Sequence, residues 1–173
     1  MKKNIEKLQK TIDGSNYIVA LTGAGISTGA GIPDFRGKGG IYTTGLYDPY
    51  KTFDYDYFKK DPSHFFKFAK DFIGFYDKIV PTQGHKFLAE LEQKGKLKAV
   101  ITQNIDGLHQ MARSKHVIEV HGGFTTSHCI KCRKFYDFNW LKEELAHKKE
   151  LRCSCDGFVK PDIVFFGEPV EGM

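Results

Sequence analysis

Two strand-like runs within residues 98–122 end in side chains that can do chemistry. An apolar run over 98–102 delivers Gln103, Asn104 and Asp106 at its carboxyl end, and a second over 116–120 delivers His121, with Gly122 behind it. Open α/β sheets hold ligands at the carboxyl ends of their strands, so two carboxamides, a carboxylate and an imidazole gathered there read as a reaction centre. His121 is the group suited to take a proton near neutral pH, a role that contributes on the order of 10² to 10⁴-fold in rate. His64, His85, His109, His116 and His147 are weaker candidates, because none follows a strand with glycine directly after it.

The four cysteines are a second chemical signal. Cys129 and Cys132 form one tight pair, Cys153 and Cys155 another, and the chain has no other cysteine. Two such knuckles suit a ribbon-type tetrahedral Zn²⁺ site, and four thiolates leave no open coordination position, so the metal would be structural. Two disulfides are the alternative, which a reducing cytoplasm disfavours. His128 and His147 are nearby and spare as ligands.

Regular elements must position these groups. Ile5, Leu8 and Ile12 repeat at helical spacing over 2–13, and an uninterrupted apolar run over 17–21 leads into the glycine-rich stretch 22–31. Strand, glycine-rich turn and helix in that order open a dinucleotide-binding fold, with a pyrophosphate at the helix N-terminus. The spacing is a weak match by itself: Gly23 and Gly25 are present, but Thr28 occupies the third glycine position. Residues 33–56 are rich in Gly, Pro, Asp and Tyr without a sustained period, which predicts a long loop. Asp61, Pro62 and Ser63 start a helix carrying Phe65, Phe66, Phe68, Phe72, Phe75 and Tyr76, read mainly as core and secondarily as a wall for an apolar ligand. A further helix over 84–93 precedes the strand that ends at Thr102.

Composition narrows the class. Apolar residues make up 40% and charged residues 27% of 173, as in a globular protein with one good core. No run of 18 apolar residues and no signal-peptide pattern occurs, which predicts a cytoplasmic protein with no membrane partner. The net charge of +5 comes from 26 basic and 21 acidic residues interleaved along the chain, so no specific nucleic-acid footprint is expected.

Longer motifs make the combination recognisable. Residues 23–27 (GAGIS), 31–36 (GIPDFR), 102–109 (TQNIDGLH), His121 with Gly122, the four cysteines, and 160–168 (KPDIVFFGE) resemble the sirtuins, the NAD-dependent protein-lysine deacylases, over roughly 16–168. The resemblance implies NAD and Zn as cofactors and an acyl-lysine protein or peptide as partner. It implies an NAD site of Gly23, Ala24, Gly25, Ser27, Asp34, Phe35, Arg36, Gln103, Asn104, Ile105 and Asp106. His121 becomes the general base, with Asn104 as the second catalytic residue. Val164, Phe165, Phe166 and Gly167 pair with the substrate backbone by β-addition. Turn chemistry at a strand end is the plainer explanation for the polar members; at Asn104 and Asp106 function outweighs it. In the family scheme the acyl-lysine carbonyl oxygen attacks the ribose carbon bearing nicotinamide, and the histidine-activated ribose hydroxyl then captures the acyl group as O-acyl-ADP-ribose. Relatives that prefer acidic acyl groups carry a Tyr-x-x-Arg pair where this chain has Ala69 and Phe72, so a neutral acyl group, acetyl first, is expected.

The fold expected is an α/β protein: a Rossmann-like parallel sheet with helices on both faces plus a small inserted zinc-ribbon module. Residues 1–123 form the NAD-binding part, including the loop 33–56 and the helical segment 61–80. Residues 124–158 form the module, and 159–173 return as a strand to the Rossmann-like part. The family pattern departs in two places. The second cysteine pair is Cys-x-Cys where many relatives have Cys-x-x-Cys, and the chain stops at Met173, where the family continues with the second half of its sheet. The chain is therefore expected to be C-terminally truncated. Mono-ADP-ribosyl transfer and an inactive, truncated peptide-binding fragment stand as alternatives to deacylation.

Overall fold

The computed structural model describes residues 2–34, 37, 39–41 and 43–169. The three apolar runs form β1 (Ile18–Thr22), β2 (Leu97–Thr102) and β3 (Val117–Glu119), a parallel sheet in the order β1-β2-β3. Parallel strands bring their carboxyl ends to one edge, and two further bonds extend that edge, from Gln103 N–H to the Thr22 carbonyl (3.0 Å) and from Val120 N–H to the Thr102 carbonyl (2.9 Å). One face is covered: Leu88 and Leu91 of α5 (Gln83–Gln93) pack on Leu97 and Val100, joined by Ile12 of α1 (Lys2–Gly14). On the other face Val19, Leu21 and Ile118 are exposed.

Two expectations for the first part need correction. No α-helix follows the glycine-rich turn; two single-turn 3₁₀ segments do, Ala24–Ile26 and Thr28–Ala30. The Ile26 carbonyl, which an α-helix would bond to the amide four residues on, accepts the Thr82 hydroxyl instead (2.9 Å), while Ala30 N–H turns to Ser27 (2.9 Å). The loop at 33–56 is also shorter than expected. It gives way to α2 (Pro49–Phe53) and α3 (Tyr55–Lys60), each started by an aspartate: Asp48 accepts Lys51 N–H (3.1 Å) and Asp54 accepts Tyr57 N–H (2.8 Å).

The main core lies beside the parallel sheet and is largely aromatic. Phe58 of α3 is fully buried with its ring 5.6 Å from Phe65 of α4 (Ser63–Tyr76) and 5.5 Å from Phe165, both near edge-to-face. Each such pair adds roughly 0.5–1.5 kcal/mol to the burial of its rings. Leu141 and Leu145 of α7 (Phe138–His147) close the core from the far side.

A second, antiparallel sheet carries the cysteines in the order β5-β4-β6, with β4 (Gly122–Cys129), β5 (Phe135–Asp137) and β6 (Val159–Ile163). Here β6 departs from expectation: instead of returning to the parallel sheet it pairs with β4, Gly122 opposite Ile163 and Cys129 opposite Val159. Residues 170–173 of the expected return strand lie outside the described residues. The crossing at Gly122 is tight. It has φ of +63°, and a Cβ there would stand 1.7 Å from the Asp162 carbonyl oxygen.

Candidate active site

The shared edge of the parallel sheet brings the glycine-rich turn, Gln103, Asn104, Asp106 and His121 together. β1 runs into Gly23, and β2 into Gln103 and Asn104. The short α6 (Leu108–Met111) starts beyond Asp106, whose Oδ1 accepts Leu108 N–H (2.9 Å). Asp106 and Ser27 are buried, and Ser27 donates its hydroxyl proton to Asp106 Oδ2 (2.6 Å). Asn104 Nδ2 donates to the Gly23 carbonyl (3.1 Å) and to Ser27 Oγ (3.0 Å), and Thr102 Oγ1 accepts the Asn104 amide (3.1 Å). Residues 77–81 positions apart in sequence are thus tied into one network that fixes the glycine-rich turn against the end of β2.

His121 Nδ1 lies 2.9 Å from the Gln103 carbonyl oxygen. A carbonyl only accepts, so Nδ1 carries a proton, and in the neutral ring Nε2 is then the nitrogen with the free lone pair. The His121 carbonyl in turn accepts Val164 N–H (2.9 Å), which joins the end of β3 to the segment after β6.

That segment is held on several sides. Phe165 is buried, and its amide donates to Glu168 Oε2 (2.8 Å). The buried Lys160 ammonium bonds the Ile163 carbonyl (2.6 Å) and Glu168 (2.9 Å). Phe166 spends its N–H on Phe53 and its carbonyl on Tyr55, while its ring is exposed.

Beside the network lies a pocket of about 330 Å³, lined on its polar side by Ser27, Asn104 and Asp106. Its opposite wall is apolar, with Ile41, Phe68, Phe72 and Phe75, so the aromatic stripe of α4 serves the core through Phe65, Phe66 and Phe68 and the pocket through Phe68, Phe72 and Phe75. Ala24 and Ile105 also reach the pocket. Tyr47 donates to Asp71 (2.7 Å) at the rim, and burial together with that bond pushes its phenol up to about 12, so it remains a neutral donor. Sequence reasoning missed Ile41, Tyr47 and Asp71, which lie in no motif. Gly25 is exposed in the turn, and Asp34 accepts Gly37 N–H (2.7 Å) at the start of the following loop. Phe35 and Arg36 lie outside the described residues.

The four Sγ atoms lie within 4.8 Å of one another, with Cys129 to Cys155 at 3.5 Å and Cys132 to Cys153 at 3.6 Å. All four are free thiols. A tetrahedral Zn²⁺ with Zn–S near 2.3 Å requires S···S edges of about 3.8 Å, so the donor set fits the ion. The backbone is shaped for it as well. Lys131 N–H points at Cys129 Sγ (3.4 Å), and a Cβ on Gly157 would sit 2.7 Å from that sulfur. A hydrogen bond from Tyr136 brings the Cys153 thiol down to about 5, toward the thiolate a cation binds.

Comparison with known proteins agrees with this geometry. The Sir2 family profile matches residues 23–173. An NAD-dependent protein deacetylase of Clostridium perfringens is 42% identical over 174 residues, covering 99% of this chain and 70% of that protein. One of Saccharolobus solfataricus is 44% identical over 169 residues, covering 97% and 67%. A Sir2 enzyme solved for its mechanism and regulation superposes with a TM-score of 0.88 at 40% identity, over 98% of this chain and 67% of the other. Another, solved with a deacetylated p53 peptide and 3′-O-acetyl ADP-ribose, gives 0.87 at 42%, over 96% and 67%. The chain thus spans about two thirds of the length of these relatives. No helix among the described residues is long and apolar enough to cross a membrane. The chain belongs to the Sir2 family.

Proposed function

We propose that this chain acts as an NAD-dependent protein-lysine deacetylase that transfers the acyl group to ADP-ribose and releases nicotinamide. The reaction class is acyl transfer rather than simple hydrolysis, and the location proposed is the cytoplasm. The observation that carries the reading is the contact of His121 Nδ1 with the Gln103 carbonyl: with Nδ1–H committed there, Nε2 of the neutral ring is the acceptor, at the edge where the Asn104–Ser27–Asp106 network stands.

NAD, when bound, supplies a ribose carbon that loses nicotinamide and accepts the acyl-lysine oxygen. The residues for it are Gly23, Ala24, Gly25, Ser27, Asp34, Phe35, Arg36, Gln103, Asn104, Ile105 and Asp106. The apolar pocket wall excludes water, and the Asp106 carboxylate favours developing positive charge nearby. His121 Nε2 takes the ribose hydroxyl proton, and Asn104 holds the turn in register with β2. The segment 164–167 offers backbone to the substrate peptide; with Phe166 already paired to Phe53 and Tyr55, and the Val164 N–H given to His121, the contribution falls to the Val164 carbonyl and to Gly167. Ala69, fully buried, and Phe72, on the pocket wall, present no cation, which supports a neutral acyl group. Cys129, Cys132, Cys153 and Cys155 hold a structural zinc. Residues 1–123 act as the nucleotide-binding part and 124–158 as the zinc module, with β6 closing the module's sheet.

Nicotinamide release tests the assignment, measured with and without an acetyl-lysine peptide and coupled to product identification. Peptide-dependent release with O-acetyl-ADP-ribose is expected. Release with ADP-ribose attached to protein would replace deacylation by ADP-ribosyl transfer, and no release from folded, zinc-loaded chain would refute activity in this chain.

A further inference from the structure

The segment that follows β6 is anchored by an ion pair that the chemistry above does not use. Lys160, in β6, is 7% exposed, a burial that lysine reaches only when its charge is met. Its three ammonium donors find three acceptors: the Ile163 carbonyl at 2.6 Å, Glu168 Oε2 at 2.9 Å and, more weakly, the Pro161 carbonyl at 3.4 Å. The same ammonium stands 4.3 Å from the centre of the buried Phe165 ring. Burial lowers the proton affinity of the amine, and the bond to Glu168 opposes this.

The two short bonds close on one stretch of chain from its two ends. Ile163 lies directly before 164–167, and Glu168 directly after it. Glu168 also folds back on Phe165 twice: its N–H donates to the Phe165 carbonyl (3.0 Å), and its Oε2 accepts the Phe165 N–H (2.8 Å). Gly167, at φ of +87°, permits that turn. Next to the clamped Ile163 carbonyl, Val164 N–H reaches the His121 carbonyl (2.9 Å), so the stretch is placed against the imidazole residue. With Phe166 paired to Phe53 and Tyr55, the backbone groups of 164–167 without a partner among the described residues are the Val164 carbonyl and the N–H and carbonyl of Gly167.

A buried ion pair is a poor device for stability alone. Desolvating the two charges costs about what their attraction returns, and apolar or neutral groups of like volume often serve as well. What this pair adds is a fixed distance between the two ends of the segment. We propose that Lys160 and Glu168 are positioning residues for the substrate peptide: their ion pair holds 163–168 in the shape that keeps Val164 N–H on His121 and leaves the Val164 carbonyl and Gly167 open to backbone pairing. The register of a bound peptide against the imidazole is thereby set by two side chains that touch neither. The link to the peptide rests on the reading of 164–167 as substrate-facing; the hold on the chain does not.

One oxygen, Glu168 Oε2, accepts both the ammonium and the Phe165 N–H, so charge and geometry can be varied separately. Glu168→Gln keeps an oxygen for both bonds and removes the counter-charge. Lys160→Met combined with Glu168→Gln removes both charges and the hold on Ile163. In the zinc-loaded protein, Glu168→Gln should melt below the unmodified chain, yet titration calorimetry should show it binding an acetyl-lysine peptide within about twofold of that chain. The double variant should melt above Glu168→Gln and bind the same peptide about tenfold more weakly than the unmodified chain, the equivalent of one lost hydrogen bond. Hydrogen exchange at the Val164 amide, measured without peptide, should rise in the double variant and not in Glu168→Gln. Full peptide affinity in the double variant overturns the proposal. So does a double variant that melts below Glu168→Gln or fails to fold, because the pair is then a stability element. No peptide binding by the unmodified chain overturns instead the reading of 164–167 as substrate-facing. The Val164 amide then decides the hold on the chain, which faster exchange in the double variant supports and unchanged exchange refutes.

Discussion

Replacing Asp106 by Asn isolates the contact that ties the glycine-rich turn to β2, because the substitution keeps shape and one acceptor and changes the rest. Asp106 is 4% exposed, with Oδ1 on the Leu108 amide at 2.9 Å and Oδ2 accepting the Ser27 hydroxyl proton at 2.6 Å. Asparagine preserves the first bond and presents an NH₂ group to Ser27 Oγ, which already accepts from Asn104 at 3.0 Å. The serine oxygen can accept twice, but its own proton loses its acceptor. A charge-assisted bond is exchanged for a neutral one and a buried hydroxyl hydrogen is orphaned, a net cost of about 2 kcal/mol. For a chain of this size that corresponds to a fall in Tm of about 4–8 °C. Calorimetric or circular-dichroism melts of the zinc-loaded protein at pH 7 measure it. Ser27→Ala provides the second corner of a double-mutant cycle. Because both substitutions remove the same bond, the double variant should cost clearly less than the two single losses added. An unchanged Tm in Asp106→Asn, or strict additivity in the cycle, would refute the reasoning.

His121→Ala should lower peptide-dependent nicotinamide turnover by on the order of 10²–10⁴-fold. Its unfolding midpoint should move little, because the ring is partly exposed and makes one bond, and retention of wild-type turnover rejects it as the base. Cys129→Ser, or a chelator on the unmodified chain, should release zinc and unfold the second sheet in the far-ultraviolet spectrum; an unaltered melt without metal would exclude a structural role. Gly122→Ala drives a Cβ to 1.7 Å from the Asp162 carbonyl oxygen, a backbone clash at positive φ. The expected loss exceeds about 4 kcal/mol in urea, and an ordinary midpoint contradicts the β4–β6 crossing. His109 is held neutral in the fold by burial, with its pKa lowered from 6.5 to about 4. The folded state thus binds fewer protons than the unfolded one between those values. Its contribution is complete above 6.5 and declines by up to about 3 kcal/mol as pH falls through 4. Urea midpoints over that range should fall more steeply for the unmodified chain than for His109→Gln, and parallel slopes would count against the buried neutral ring.

What the sequence displayed and what it concealed separate along a physical line. Residues whose partners are close in sequence, or whose surroundings are uniformly apolar, were legible. The runs ending at Thr22, Thr102 and Glu119 read as parallel strands because they are short and apolar on both faces, although only the face under α1 and α5 is covered and Val19, Leu21 and Ile118 are exposed on the other; the cysteine knuckles converge because thiolates two or three residues apart reach a common point. Features decided by a distant partner were not. The glycine-rich turn reads locally as the start of a helix, yet the Thr82 hydroxyl, 56 residues away, occupies the Ile26 carbonyl on which a second helical turn would have depended. Residues 48–60 have too little periodicity to signal α2 and α3, which follow from two aspartate caps and from Phe53 and Phe58 finding the aromatic core. The strand at 159–163 carries Lys160, Pro161 and Asp162, so its pattern names neither sheet; the positive φ of Gly122, which lets β4 pass close to Asp162, goes with its pairing in the second. The same argument applies to the site. Asn104, Asp106 and His121 declare themselves by standing at strand ends. Lys160 and Glu168 stand in a motif, yet by type each reads as a solvated charge, and they become visible as a pair only when the turn at Gly167 brings Glu168 back over Phe165.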